Sequence, residues 1–177
     1  MALRKVVTEG DPILNKVCRP VTKFDDRLAQ LLDDMHETMI QHDGVGLAGP
    51  QVGMMRRLFV VWDTTDCPDE IPEDYEYKFI DFVNPEIVAV TEETETSYEG
   101  CLSFPGHTGA VERPVGVKVR AQDRNGEWFE LEAEGTLLAR CIQHENDHLD
   151  GITIMESSKF FYEDTEEGRA EAEAMED

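Results

Sequence analysis

The stretch "QHENDHLDG", residues 143–151, constrains this chain more than any other. On a helix, two histidines four residues apart can aim at one point, because residues i and i+4 lie one above the other on the same face. His144 and His148 form such a pair, and Glu145 stands one step round, beside that point rather than at it. H-E-x-x-H on a helix is the pattern of two metal ligands and a carboxylate general base. The plain alternative is a polar helix end that carries two histidines by chance.

A catalytic metal usually has three protein ligands and keeps one position for water. Cys141 lies three residues before His144, on roughly the same face, but seven before His148. Seven residues are about 10 Å along a helix axis, whereas bonds to the metal are each only about 2 Å long. A straight helix cannot close on one ion with all three, so Cys141 reads as an apolar-behaving pocket wall. The third ligand must come from a segment packed against this helix. Cys101, in "YEGCLSFPG", is the best-placed candidate, since Gly100 lets the backbone bend and approach closely. Cys18, Cys67 and the many carboxylates remain alternatives.

The rest of the chain suits a globular enzyme. At 177 residues it is long enough to bury a core as one compact domain. No run of about 18 apolar residues occurs, so no membrane span is expected. The opening "MALRKVVTEGDPILNK" meets charge and proline too early for a signal peptide, and a cytoplasmic location is the simplest. A net charge of −23 opposes binding to nucleic-acid phosphate as a main task. The four cysteines form no CxxC pair and fit reduced thiols.

Periodicity sets the fold class. "FDDRLAQLLDDMHETMIQHDG" predicts a helix, with Asp25 capping its start, Gly44 after its end and a Leu/Met stripe facing the core. His36 and His42 on it receive no function. "DGVGLAGPQVG" is a loop, "RRLFVVWD" a buried strand, and "FIDFVNPEIVAV" one or two short strands. "VGVKVRAQDRNGEWFELEAE" alternates and turns at Asn125-Gly126, the clearest hairpin. A second helix is expected from about Thr136 to Leu149, ended by Gly151. This is an α+β domain in which antiparallel sheets pack around a long C-terminal metal-binding helix, with a second helix near the N-terminus. Residues 1–160 form the expected catalytic domain and 161–177 an acidic tail, helical or frayed.

Three motifs, in order, carry a family resemblance: "GVGLAGPQ" (44–51), "EGCLS" (99–103) and "QHENDH" (143–148). Together with "GDPILNKVCRPV" they resemble peptide deformylase, over residues 3 to about 155. The resemblance implies removal of the formyl group from the N-terminal formyl-methionine of new polypeptides. It implies one divalent metal held by Cys101, His144 and His148, natively Fe(II), with Zn, Ni or Co as substitutes. Glu145 is then the general acid/base. Gln51, through its side-chain amide, and Leu102, through its backbone N–H, are the oxyanion donors. Gly44, Val45, Gly46, Gly100, Leu137 and Cys141 are the substrate-binding positions, Leu137 and Cys141 as walls of the methionine pocket. For Leu137, plain core packing is the competing reading.

Several positions depart from the family pattern. Gly49 replaces a usual alanine, which removes only a methyl and is expected to cost little. His107 and Thr108 stand where many members carry an arginine that grips the peptide. Arg140 occupies a position that takes an apolar residue or an arginine, and is expected to snorkel, its stem packed and its charge outside. Arg113 and Asp147 are expected to pair and tie the cysteine segment to the metal helix; the alternative is two exposed charges worth little. Some members dock on the ribosome through a basic C-terminal helix, but the tail here is acidic, so docking through it is expected to be weak or absent. The expected partners are nascent formyl-methionyl peptides, with no direct nucleic acid and no membrane. Two rivals stand beside this reading. One is a zinc peptidase with the same H-E-x-x-H, for which Glu156 is the downstream acid. The other is a non-catalytic relative, which the presence of Glu145, Cys101 and Gln51 disfavours.

Overall fold

The segment LFVVW is apolar because the strand it forms is covered on both faces. In the computed structural model, which describes residues 2–176, this segment is β2 (Leu58–Trp62). Leu58 and Val60 face one side, Phe59 and Val61 the other, and all four are fully buried. Leu58 and Val60 pack in one cluster with Leu28, Leu31, Leu32, Met35 and Met39 of α1 (Asp26–Gln41). Phe59 and Val61 pack with Ala139, Cys141, Ile142 and Leu149 of α2 (Leu137–Leu149). The strand's period of two thus sorts one apolar run onto two helices. Each such side chain contributes roughly 1.5–3 kcal/mol by leaving water.

β2 belongs to a five-stranded antiparallel sheet in the order β1 (Gly46–Ala48), β2, β3 (Phe79–Val90), β6 (Gly116–Gln122), β7 (Trp128–Glu134). A second, three-stranded antiparallel sheet places β5 (His107–Pro114) between β4 (Thr94–Glu99) and β8 (Ser158–Glu163). The mixed α+β architecture with antiparallel sheets is the expected one. The expected hairpin is β6–β7, where Gln122 faces Trp128 and Gly126 takes φ +84° in the turn.

The helix ends follow the sequence with one exception. Asp25 accepts the Leu28 N–H at 3.0 Å, and Thr136 Oγ accepts the Ala139 N–H at 3.3 Å. Gly151, at φ +73°, ends α2, with the Ile152 N–H donating to the Asp147 carbonyl at 3.0 Å. At the end of α1 the left-handed residue is Asp43 (φ 56°), not Gly44. Asp is one of the few residues with a side chain that tolerates this region.

After α2 the chain adds α3 (Ile154–Ser157), then β8, then α4 (Glu166–Glu176). β8 was not anticipated, and residue 160 falls inside it. Within the acidic tail, residues 161–163 end β8 and α4 packs through Gly168 and Ala172. His36, left without a function, stacks on Phe79 and lies 2.5 Å from an Asp81 oxygen.

Candidate metal centre

The centre forms where the turn between β4 and β5 crosses α2. The turn brings Cys101, and α2 brings His144 and His148 one turn apart. Cys101 Sγ lies 3.4 Å from His148 Nε2. One ligand atom from each of the three residues lies within 4.8 Å of the others. A tetrahedral ion with bonds of about 2.1 and 2.3 Å would hold nitrogen and sulfur roughly 3.6 Å apart. The group therefore needs only a small contraction to close on one ion, and one sulfur with two imidazoles leaves a fourth position open. Cys141 is excluded from it, as the helix rise requires. Its buried thiol instead donates to the Val45 carbonyl at 3.6 Å.

Glu145 is 4% exposed. Its Oε1 is 3.9 Å from His144 Nε2, and its buried Oε2 has no partner among the described residues. Burial pushes its carboxyl up to about 7, against the downward pull of His144. Burial also drives His148 well below the ordinary histidine value, helped by the charges of His144 and Arg113. For His144, burial works in the same direction, but hydrogen bonds to Cys101 and Glu99 outweigh it and raise the pKa. The His148 lone pair is thus free for a metal, and His144 must give up a proton to bind one.

A residue that sequence reasoning passed over organises the surroundings. Glu99, the last residue of β4, accepts from His144 Nδ1 at 2.8 Å, from Arg113 Nε at 2.6 Å and Nη2 at 2.8 Å, and from Arg140 Nη1 at 2.7 Å. Burial alone would raise its carboxyl, but the Arg113 and His144 hydrogen bonds hold it far below the usual carboxylate range. Arg113 also reaches Asp147 at 2.9 Å, so the expected pair is present. At 6% exposed, Arg113 is buried, which removes the reading of two solvated charges. Arg140 does not snorkel. Its guanidinium turns inward to Glu99 and to the carbonyls of Val111 and Glu95, because unpaired acceptors await it there.

Gln51, in the short 3₁₀ turn Gly49–Val52, is fixed at both ends of its amide. Oε1 accepts the Ala48 N–H at 2.9 Å, and Nε2 points to Ser103 Oγ at 3.1 Å and Cys101 Sγ at 3.5 Å. Leu102 N–H has no acceptor among the described residues. Gly49 is more constrained than its sequence suggests. A Cβ there would lie 2.7 Å from the Met54 carbonyl oxygen and 2.8 Å from that of Arg56, so the missing methyl is space already taken by backbone.

Of the residues read from the sequence as catalytic, substrate-binding or metal-ligating, all except the fully buried His148 line one cleft of about 400 Å³. For two of them one of the sequence readings fails. A Cβ on Gly100 would meet nothing within 4 Å, so Gly100 borders the cleft rather than a tight backbone contact. Leu137 is 52% exposed, which overturns core packing for it. Glu156, the peptidase candidate, bonds Thr153 and Asn15 and takes no part in the cleft.

The comparisons agree with this geometry. The family model for polypeptide deformylase matches residues 3–161. A peptide deformylase of Caldicellulosiruptor bescii is 48% identical over 177 residues, covering 99% of this chain and 98% of that one. Peptide deformylase 1 of Bacillus subtilis is 48% identical over 165 residues, covering 93% and 96%. The crystal structure of the peptide deformylase from Thermotoga maritima superposes with a TM-score of 0.81 at 40% identity, covering 90% of this chain and all of that one. With motifs, fold and near full-length similarity in agreement, this chain belongs to the polypeptide deformylase family.

Proposed function

We propose that the cleft hydrolyses the formyl amide of N-terminal formyl-methionine, releasing formate, with Cys101, His144 and His148 holding one divalent metal ion and Glu145 moving the proton. Removal of the formyl group from nascent polypeptides is the activity of the family, and metal dependence is general to it. The observation that carries the assignment of residues is the meeting of Cys101 with His144 and His148 beside a buried carboxylate that has one oxygen free.

The chemistry a divalent ion supplies in such a ligand set is Lewis acidity, which polarises a carbonyl and activates water near neutral pH. Glu145 takes up the proton that the attacking water sheds. A carboxyl with a pKa of about 7 does this, and then returns the proton to the amine nitrogen as the C–N bond breaks. Negative charge collects on the formyl oxygen. The Gln51 amide and the Leu102 N–H are the donors for it, and each is worth about 3 kcal/mol, or roughly a hundredfold in rate. The Ala48 N–H already fixes the carbonyl end of Gln51, so only its Nε2 donor, which points to Ser103 Oγ and Cys101 Sγ, has to turn to the substrate. Gly44, Val45, Gly46 and Gly100 border the path of the peptide backbone. Leu137 and Cys141 wall the methionine side chain, and burial raises the Cys141 pKa so that it stays an uncharged thiol.

Fe(II) is the proposed native metal, with Zn, Ni or Co able to replace it, since affinity order alone does not select among them. We place the protein in the cytoplasm, its catalytic unit in residues 1–160, and the acidic tail away from ribosomal RNA. No helix among the described residues is long and apolar enough to cross a membrane. The test is formate release from a formyl-Met peptide by protein purified without oxygen, with elemental analysis and Glu145→Ala as control. Formate release by the wild type alone, with about one metal per chain, supports the assignment. Equal release by the Glu145→Ala variant overturns it.

A further inference from the structure

Arg140 stands one turn before His144 on α2 and touches no ligand atom of the centre, yet its guanidinium turns inward and makes three hydrogen bonds to β4 and β5. Nη1 donates to Glu99 Oε2 at 2.7 Å and to the Val111 carbonyl at 3.0 Å, and Nη2 donates to the Glu95 carbonyl at 2.8 Å. One side chain of the metal helix thus grips β4 twice and β5 once.

The stoichiometry at Glu99 gives this grip a purpose. A carboxylate offers about four acceptor positions. Oε2 receives Arg113 Nε and Arg140 Nη1, while Oε1 receives Arg113 Nη2 and His144 Nδ1. All four are filled, by donors from β5 and from two turns of α2. Arg113 holds both oxygens from the β5 side through its Nε/Nη2 fork, and its Nη1 is held in turn by Asp147. Arg140 adds a second donor on Oε2, the oxygen far from His144, and of the two arginines it is the one carried by the same helix as His144. With both oxygens held, Oε1 can only accept from the His144 Nδ1–H. That sets the tautomer and ring direction that leave Nε2 facing Cys101 and His148.

We infer that Arg140 is a positioning residue of the metal centre, acting on His144 through Glu99. The inference rests on the reading of His144 as a metal ligand. A merely structural Arg140, bracing β4 and β5 against α2, would contribute to stability and leave the ligand geometry alone.

Cobalt-substituted protein separates the two. The probes are the Co(II) absorption spectrum, with its thiolate charge-transfer and ligand-field bands, the rate of Co(II) loss to a chelator, and the melting temperature of the metal-free form. Arg140→Met keeps the stem and removes the fork. It is expected to shift the ligand-field bands and to release Co(II) about 10–100-fold faster, with kcat falling and KM for a formyl-Met peptide unchanged. Arg140→Lys keeps the charge without the fork and should recover only part of the loss. It carries the comparison if Arg140→Met does not fold. Leu138→Ala, on the same helix but packed toward the core, should lower the melting temperature without moving the bands or the release rate. If both Arg140 variants melt lower but keep the wild-type spectrum and release rate, Arg140 is a brace and the inference is overturned. A wild-type protein that binds Co(II) without a thiolate band would overturn the ligand assignment itself, and this inference with it.

Discussion

Gly46 and Glu145 are in contact at the limit of what two residues allow: a Cβ on Gly46 would stand 2.7 Å from Glu145 Oε1 and 2.7 Å from Cys141 Sγ. The glycine is needed for the protein's own carboxylate before any substrate arrives. Gly46→Ala is therefore expected to push the Glu145 carboxylate out of place, because the added methyl meets both its Oε1 and its Cγ closer than atoms can sit. Turnover of a formyl-Met peptide should fall about a hundredfold, the order that misplacement by about an ångström costs, with bound metal per chain unchanged. A variant with wild-type kcat would show that Glu145 has room to yield.

The Glu145 carboxyl gives a pH signature in the metal-free protein. Burial raises it to about 7, from 4.5 for an ordinary glutamate. Between those values the folded chain holds a proton that the unfolded chain has released, so stability falls as pH rises through this window. The interval corresponds to about 3 kcal/mol at about 1.36 kcal/mol per pH unit. Glu145→Gln removes the ionisation. Without metal, the variant should match the wild type near pH 4.5 and exceed it above pH 7 by up to about 3 kcal/mol in urea melts. The same variant should lose about 10²–10⁴ in turnover when loaded with metal, since an amide cannot take the proton. Parallel stability curves across pH 4.5–8 would contradict the buried carboxylate.

Much of this site was legible in the sequence because its main constraint is one-dimensional. The spacing of His144 and His148 puts both on one face of the helix that the local periodicity predicts, and the rise of that helix excludes Cys141 as a co-ligand. Caps at Asp25 and Gly151 are likewise local and were readable. Glu99 was not, although it stands in the motif next to Gly100 and Cys101. Its partners are 14, 41 and 45 residues away, and nothing local states that they converge. Arg140 was misread for the same reason, since the acceptors that draw it inward lie on β4 and β5. β8 escaped because "SKFFYE" lacks alternation and follows a four-residue helix, so neither period stands out.

Gly49 shows the same gap between local reading and packing, and makes a stability prediction. The expected cost of having glycine there was small, but the carbonyl oxygens of Met54 and Arg56 occupy the place of a side chain. These are backbone atoms, and the Met54 N–H is itself bonded to the Gly49 carbonyl at 2.9 Å, so the strand entry cannot swing away alone. Gly49→Ala is expected to destabilise by about 1–3 kcal/mol, the cost of overpacking a closed site. It should also lower kcat, because the 3₁₀ turn carries Gln51. A thermal melt and steady-state kinetics check both, and an unchanged melting temperature would mean that the turn adapts freely.

Leu137 separates a pocket wall from a core residue by opposite signatures. At 52% exposed, it loses little burial on truncation, so Leu137→Ala should change stability by no more than about 0.5 kcal/mol. If its side chain closes over the substrate methionine, the variant forfeits apolar contact made only in the complex. A loss of about 1 kcal/mol is the low end for a few methylenes in an apolar pocket, or roughly fivefold in kcat/KM. The loss should be larger for formyl-Met than for formyl-Ala peptides, since only the longer side chain reaches the wall. Equal losses for the two would place Leu137 outside the methionine pocket, and a lowered melting temperature with unchanged kinetics would return it to a structural role.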